Sequence, residues 1–157
     1  MSDATTIAVR PARREDEAAV LTLADQLAAF PVPAWRTARE IQRADDGVLR
    51  EALEGAREGT VAFVAEGPGG IDGVVCLSTT EDYFTHEPLA HVEVLAVDPA
   101  ARGRGVARAL MQAAEAWARR QGFARISLNV WAQNERARGL YEHLGYSPET
   151  MHYLKAL

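Results

Sequence analysis

The stretch from Arg102 to Arg108, Arg-Gly-Arg-Gly-Val-Ala-Arg, constrains the fold more than any other part of the chain. It follows a strand pattern, His91 to Val97, that Asp98-Pro99 closes. It opens a helix reaching Gln121, whose apolar residues Val106, Leu110, Ala113 or Ala114, and Trp117 recur at helical spacing. A helix that starts on such a turn offers first-turn amides without intrahelical partners, and its dipole adds roughly half a positive charge there. A phosphate satisfies both if the backbone comes close. Gly103 and Gly105 remove side chains where the anion would sit, Ala107 keeps the next turn slim, and Arg102, Arg104 and Arg108 add cationic charge. Strand, turn and helix together predict a pyrophosphate grip on backbone amides.

Two plainer roles compete for the same residues. Glycines permit tight turns anywhere, and arginines often form a solvated rim. Among nucleotide sites, the dinucleotide pattern Gly-x-Gly-x-x-Gly needs a small sixth residue, and here that residue is Arg108. A Walker loop needs Gly-Lys-Ser or Gly-Lys-Thr, and neither follows.

The rest of the chain alternates strands and helices without repeats or an internal linker. Ile7 to Arg10 is a short strand stopped by Pro11. Glu15 to Ala29 is a helix with Val20, Leu23, Leu27 and Ala28 on one face, broken by Phe30-Pro-Val-Pro-Ala34. A second helix spans about Thr37 to Glu54, with an interruption expected near Gly47. Thr60 to Glu66 and Ile71 to Thr79 form a hairpin across Gly67-Pro-Gly-Gly70. A polar and aromatic loop, Glu81 to Pro88, precedes the strand from His91. Ala124 to Trp131 alternates as another strand, Asn134 to Leu144 is a short helix ended by Gly145, and Tyr146 to Leu154 carries one or two short strands.

Composition fits one mixed α/β (α+β) domain over residues 1–157: 157 residues, 48% hydrophobic and 25% charged, make an ordinary core and surface. No apolar run approaches the roughly 18 residues that cross a bilayer, and Met1 to Thr6 lacks the basic and apolar regions of a secretory signal. One cysteine, Cys76, forms no intrachain disulfide, and the four histidines are scattered, so a metal-free cytoplasmic protein is expected. A net charge of −5 argues against nucleic acid and is compatible with a cationic substrate.

The turn and the strand before it, taken with Asn134-x-x-Ala137-x-x-Leu140-Tyr141-x-x-x-Gly145-Tyr146, resemble the GNAT superfamily of acetyl-CoA-dependent N-acetyltransferases. The resemblance runs over nearly the whole chain. It implies a central mixed, mostly antiparallel sheet of about six to seven strands, splayed in the middle and flanked by about four helices. It implies acetyl-CoA as cosubstrate and direct attack by a primary amine in a ternary complex. It assigns Leu95, Ala96 and Val97 to the pantetheine arm and Gly103, Arg104, Gly105, Val106, Ala107 and Arg108, with Arg102, to the pyrophosphate. Asn134 matches a side chain that contacts the cofactor, although asparagine before Glu-Arg-Ala is also a good N-cap.

Tyr141 matches the tyrosine that protonates the departing thiolate in many members of the superfamily; its plainer role is a helical aromatic beside Leu140 and Leu144. With a phenol near pKa 10 and a thiol near about 8.5, hydrogen bonding to the leaving group is easier than full proton transfer. Glu93 stands where many relatives carry a glutamate, either as base or as anchor for the cationic amine. Simple alternation puts it on one strand face with His91, Leu95 and Val97, and makes His91 the rival base. The acceptor side draws on Phe30, Trp35, Tyr83, Phe84, Asn129 and Trp131, with Asp82 and Glu87 as cation-attracting groups. A homodimer is compatible with the resemblance and with the apolar C-terminal stretches. The competing functions are a non-catalytic acyl-CoA-binding or sensing domain and a structural partner-binding protein.

Overall fold

The computed structural model describes residues 6–157, so the reading of the first residues as lacking a secretory signal falls almost wholly outside them. Five strands form one sheet in sequential order: β1 (Ala8–Pro11), β2 (Val61–Gly67), β3 (Gly70–Glu81), β4 (Pro88–Val97) and β5 (Ile126–Leu128). The first four pair antiparallel and β5 runs parallel to β4. Four helices flank them: α1 (Glu17–Ala24), α2 (Ala38–Glu54), α3 (Val106–Arg120) and α4 (Glu135–His143). The mixed sheet and the helices are as expected, but the strand count is five and not six to seven.

The missing strands belong to the tail. Residues 147–157 are exposed and carry no strand. The last strand of the sheet, β5, offers only three residues of edge, and Pro148 lacks an amide to give a ladder. The expected strand from Ala124 to Trp131 is likewise reduced to Ile126–Leu128. The first helix ends early, at Ala24, whereas α2 runs unbroken through Gly47. A capping box explains the clean start of α2: Thr37 Oγ1 accepts from the Glu40 amide, and Glu40 accepts from the Thr37 amide. Gly55, at φ 66°, ends it in the left-handed region.

Alternation along the strands builds two cores. Val75 and Leu77 of β3 face α3, where they meet Val106, Leu110, Met111 and Ala114. Val74 and Cys76 face the other way, onto Val20, Leu23 and Ala24 of α1 and Leu49 of α2. The pairing of β3 with β4 slips by one between Cys76 and Leu77: Cys76 faces Val94, but Leu77 faces Val92. Glu93 is therefore the extra residue of a β-bulge, and the alternation of β4 resets there. Ala90 and Val92 pack on the α3 side, but Val94 and Ala96 pack on the α1–α2 side. Leu95 and Val97 go with α3, so Glu93 does not share their face as simple alternation required.

Gly73 lets α3 sit close to the sheet. A Cβ there would lie 2.9 Å from Leu110 Cδ1 and 3.0 Å from both the Ala96 carbonyl oxygen and Val106 Cγ1. Gly73→Val should destabilise the fold by about 1–3 kcal/mol through overpacking, measured by denaturant unfolding.

Candidate active site

The bulge at Glu93 also marks where β4 loses its neighbour. β5 pairs with β4 only at Ala90, His91 and Val92, and its strand ends at Leu128. From Glu93 onward that edge of β4 has no strand beside it among the described residues. Two clefts open along this unpaired edge.

The larger cleft, of about 920 Å³, runs from the free edge of β4 to the start of α3 and the side of α4. Leu95, Ala96, Val97, Arg102, Gly103, Gly105, Val106, Ala107, Arg108 and Asn134 all line it. Asp98 shapes the approach: its carboxylate accepts from the Ala100 amide and starts a single 3-10 turn, Pro99–Ala101. Gly103 and Gly105 then take φ of 76° and 86°, a left-handed path that only glycine follows cheaply. Gly105 caps α3 and brings no side-chain oxygen to its first amides, so the helix start keeps donors for an anion. Nothing lies within 4 Å of where a Gly103 Cβ would stand, which leaves room for a ligand against the backbone. Of the three arginines, Arg102 and Arg108 border the cleft, whereas Arg104 turns to Asp72 at 3.3 Å.

The smaller cleft, of about 110 Å³, lies past the bulge. Glu93, Asp45 of α2, Asn129, Val130, Trp131 and Tyr141 contribute to its wall. Leu27, Leu95, Asn134, Ala137 and Tyr141 border both clefts, so the two meet where α4 passes the free edge of β4. Phe30 on the larger side and Trp131 on the smaller pack ring to ring, 5.9 Å between centroids. Trp35, Tyr83 and Phe84 line neither cleft and are exposed. Asp82 and Glu87 are engaged with Arg125, at 3.4 and 3.2 Å, and Asp82 also accepts from the Phe84 and Thr85 amides.

Glu93 accepts a hydrogen bond from the hydroxyl of Ser78, a buried β3 residue. That bond fixes the carboxylate on the α1–α2 side of the sheet. Ser78 was invisible as a site residue in the sequence, because only the slipped register brings it to Glu93. His91 shares that side, but its Nδ1 lies 2.8 Å from Ser127 Oγ and it borders neither cleft. Burial pushes the His91 pKa down, against an upward pull from Glu93. Burial pushes the Tyr141 phenol up to about 12, so it stays protonated and can donate. Asn134 performs its capping role, its Oδ1 accepting from the Ala137 amide at 3.2 Å, while still bordering both clefts.

Comparison with known proteins agrees with this architecture. The family model described as Acetyltransferase (GNAT) family matches residues 22–146. The uncharacterized N-acetyltransferase YhfO of Bacillus subtilis is 31% identical over 147 residues, 92% of this chain and 94% of that protein. The mycothiol acetyltransferase of Beutenbergia cavernae is 48% identical over 61 residues, which are 39% of this chain and only 20% of that longer protein. Among solved structures, a putative acetyl transferase from Pyrococcus furiosus shares the fold with a TM-score of 0.77 at 24% identity, over 97% of this chain and 100% of that one. The aminoglycoside N-acetyltransferase AAC(6')-Iy, bound to the bisubstrate analogue CoA-S-monomethyl-acetylneamine, superposes with a TM-score of 0.72 at 22% identity, over 98% of this chain and 100% of that one. The chain belongs to the GNAT acetyltransferase family, and its class is that of the acetyl-CoA-dependent N-acetyltransferases.

The left-handed conformation at Gly105 has a direct cost for any other residue. Its substituted Cβ would meet nothing closer than Ile7 Cδ1 at 3.8 Å, so strain alone acts. Gly105→Ala should lower stability by about 1–2 kcal/mol, read from thermal unfolding without ligand.

Proposed function

We propose that this protein, as a single domain over residues 1–157, transfers an acetyl group from acetyl-CoA to a primary amine by direct attack in a ternary complex. The observation that carries the reading is the junction of the two clefts at Leu95, Asn134, Ala137 and Tyr141. A cosubstrate seated on the turn, with its arm along the free edge of β4, would reach that junction with its thioester. The free backbone edge gives the arm hydrogen-bond partners, and leaving such groups buried and unpaired would cost about 1–3 kcal/mol each.

The amine enters as ammonium and must lose a proton before its nitrogen attacks the thioester carbonyl. Glu93, held by Ser78 in the wall of the smaller cleft, anchors that ammonium and takes its proton directly or through water. As the carbon–sulfur bond breaks, Tyr141 donates to the departing sulfur. A phenol pushed up to about 12 is far above a thiol near about 8.5, which favours hydrogen bonding over full transfer. The buried, lone Cys76 is compatible with the reducing cytoplasm we infer for the protein. We also infer a homodimer that covers Met151, Tyr153 and Leu157, which are exposed in the single chain.

A non-catalytic acyl-CoA sensor would use the same larger cleft. It gives no reason for Glu93 and Tyr141 to flank the second one. Acetyl-CoA at 100 times its dissociation constant should raise stability by about 2.7 kcal/mol in a thermal shift, whereas no shift with acetyl-CoA or CoA would contradict both readings. CoA release across a panel of small amines, aminoglycosides, polyamines and peptide amines then separates transferase from sensor. With the best amine, Tyr141→Phe should cut turnover about tenfold or more. Glu93→Gln should shift the acid limb of the pH–rate profile while His91→Ala leaves it in place; the reverse pattern would make His91 the base.

A further inference from the structure

Asp45 enters the smaller cleft from α2, while Glu93 enters from β4 on the facing sheet. Among the described residues no Lys or Arg lines that cleft, and the rest of its wall is largely apolar, with Leu27, Ile41, Val94, Leu95 and Trp131. Two carboxylates thus share a small, largely apolar space without a protein cation. Taking the smaller cleft as the acceptor site, we propose that Asp45 is a specificity-determining residue that holds a second ammonium of the acceptor, making the preferred substrate a diamine or longer polyamine.

Glu93 is already committed to the reacting end. Ser78 fixes it, and the cleft wall beside it leads to Tyr141 and the junction. Asp45 borders only the smaller cleft, away from the turn and the start of α3, so it is placed for the far end of an acceptor and not for the thioester. The chain keeps it there against an electrostatic cost: burial first, then the charges of Asp46 and Glu93, push its carboxyl up to about 6. At neutral pH it is still mainly ionised, and a cation between the two carboxylates relieves their repulsion. One Asp46 carboxylate oxygen is buried without a partner, which adds to the negative potential at this point of α2. A metal ion is the other cation to weigh, but among the described residues no three His, Cys, Asp or Glu side chains gather to hold one. The apolar wall with Trp131 fits the methylene chain and ammonium of an organic cation.

The test compares alkyl diamines of increasing chain length with monoamines of the same length, on the wild type, Asp45→Asn and Asp45→Glu. A charge-assisted contact of this kind predicts that the best diamine exceeds its monoamine about tenfold or more in kcat/KM, chiefly through KM. Asp45→Asn should abolish that preference, lowering kcat/KM for the diamine about tenfold more than for the monoamine, so that the two substrates become equivalent. Asp45→Glu should retain much of the preference. No diamine preference in the wild type, or an equal loss on both substrate types in Asp45→Asn, would overturn the proposal. If no amine is acetylated, the transferase reading itself fails. Asp45 is then judged by thermal shift: diamine stabilisation that Asp45→Asn removes supports the cation site, and its absence refutes it.

Discussion

The site depends on an interrupted ladder. β4 pairs with β3 along its whole length but with β5 for only three residues, and the break falls at the bulged Glu93. A bulge bends its strand and sharpens the twist, and at this same point β4 loses its pairing with β5. The same extra residue turns Glu93 toward Ser78 and sends Leu95 and Val97 to the opposite core. The register slip thus fixes a carboxylate at the point where the outer edge of β4 becomes free.

The turn at the other end of β4 complements this edge. Asp98 starts the 3-10 turn, two left-handed glycines bring the backbone round, and α3 begins without a side-chain cap. Gly73 sets the depth at which α3 rests on β3. Arg104 helps hold the geometry by pairing with Asp72, while Arg102 and Arg108 face the cleft. Strand edge and helix start line one cleft, bordered by a mixed polar and apolar side of α4.

Much of this was legible because it rests on local chemistry. Glycine and arginine at the turn, helical spacing in α3 and the asparagine cap of α4 are all written in neighbouring residues. The bulge was not, because a register slip belongs to two strands at once and β4 alone shows only alternating residues. Hence β4 alone gives no sign of Ser78 beside Glu93, and simple alternation puts Glu93 on the face of Leu95 and Val97, where the structure does not have it. The tail misled for a related reason: Tyr146 to Leu154 has the residues for strands, but the sheet offers them only the short edge of β5. Aromatic residues in loops were equally deceptive, since Tyr83 and Phe84 pack on each other, exposed and away from both clefts.

The central claim is that one ligand occupies the free edge of β4 and the start of α3 together. Hydrogen exchange of backbone amides, with and without acetyl-CoA, addresses it residue by residue. Protection should appear both in the 103–108 turn and along the outer edge of β4 between 93 and 97. Protection confined to the turn, with the β4 edge exchanging as in the free protein, would contradict the account.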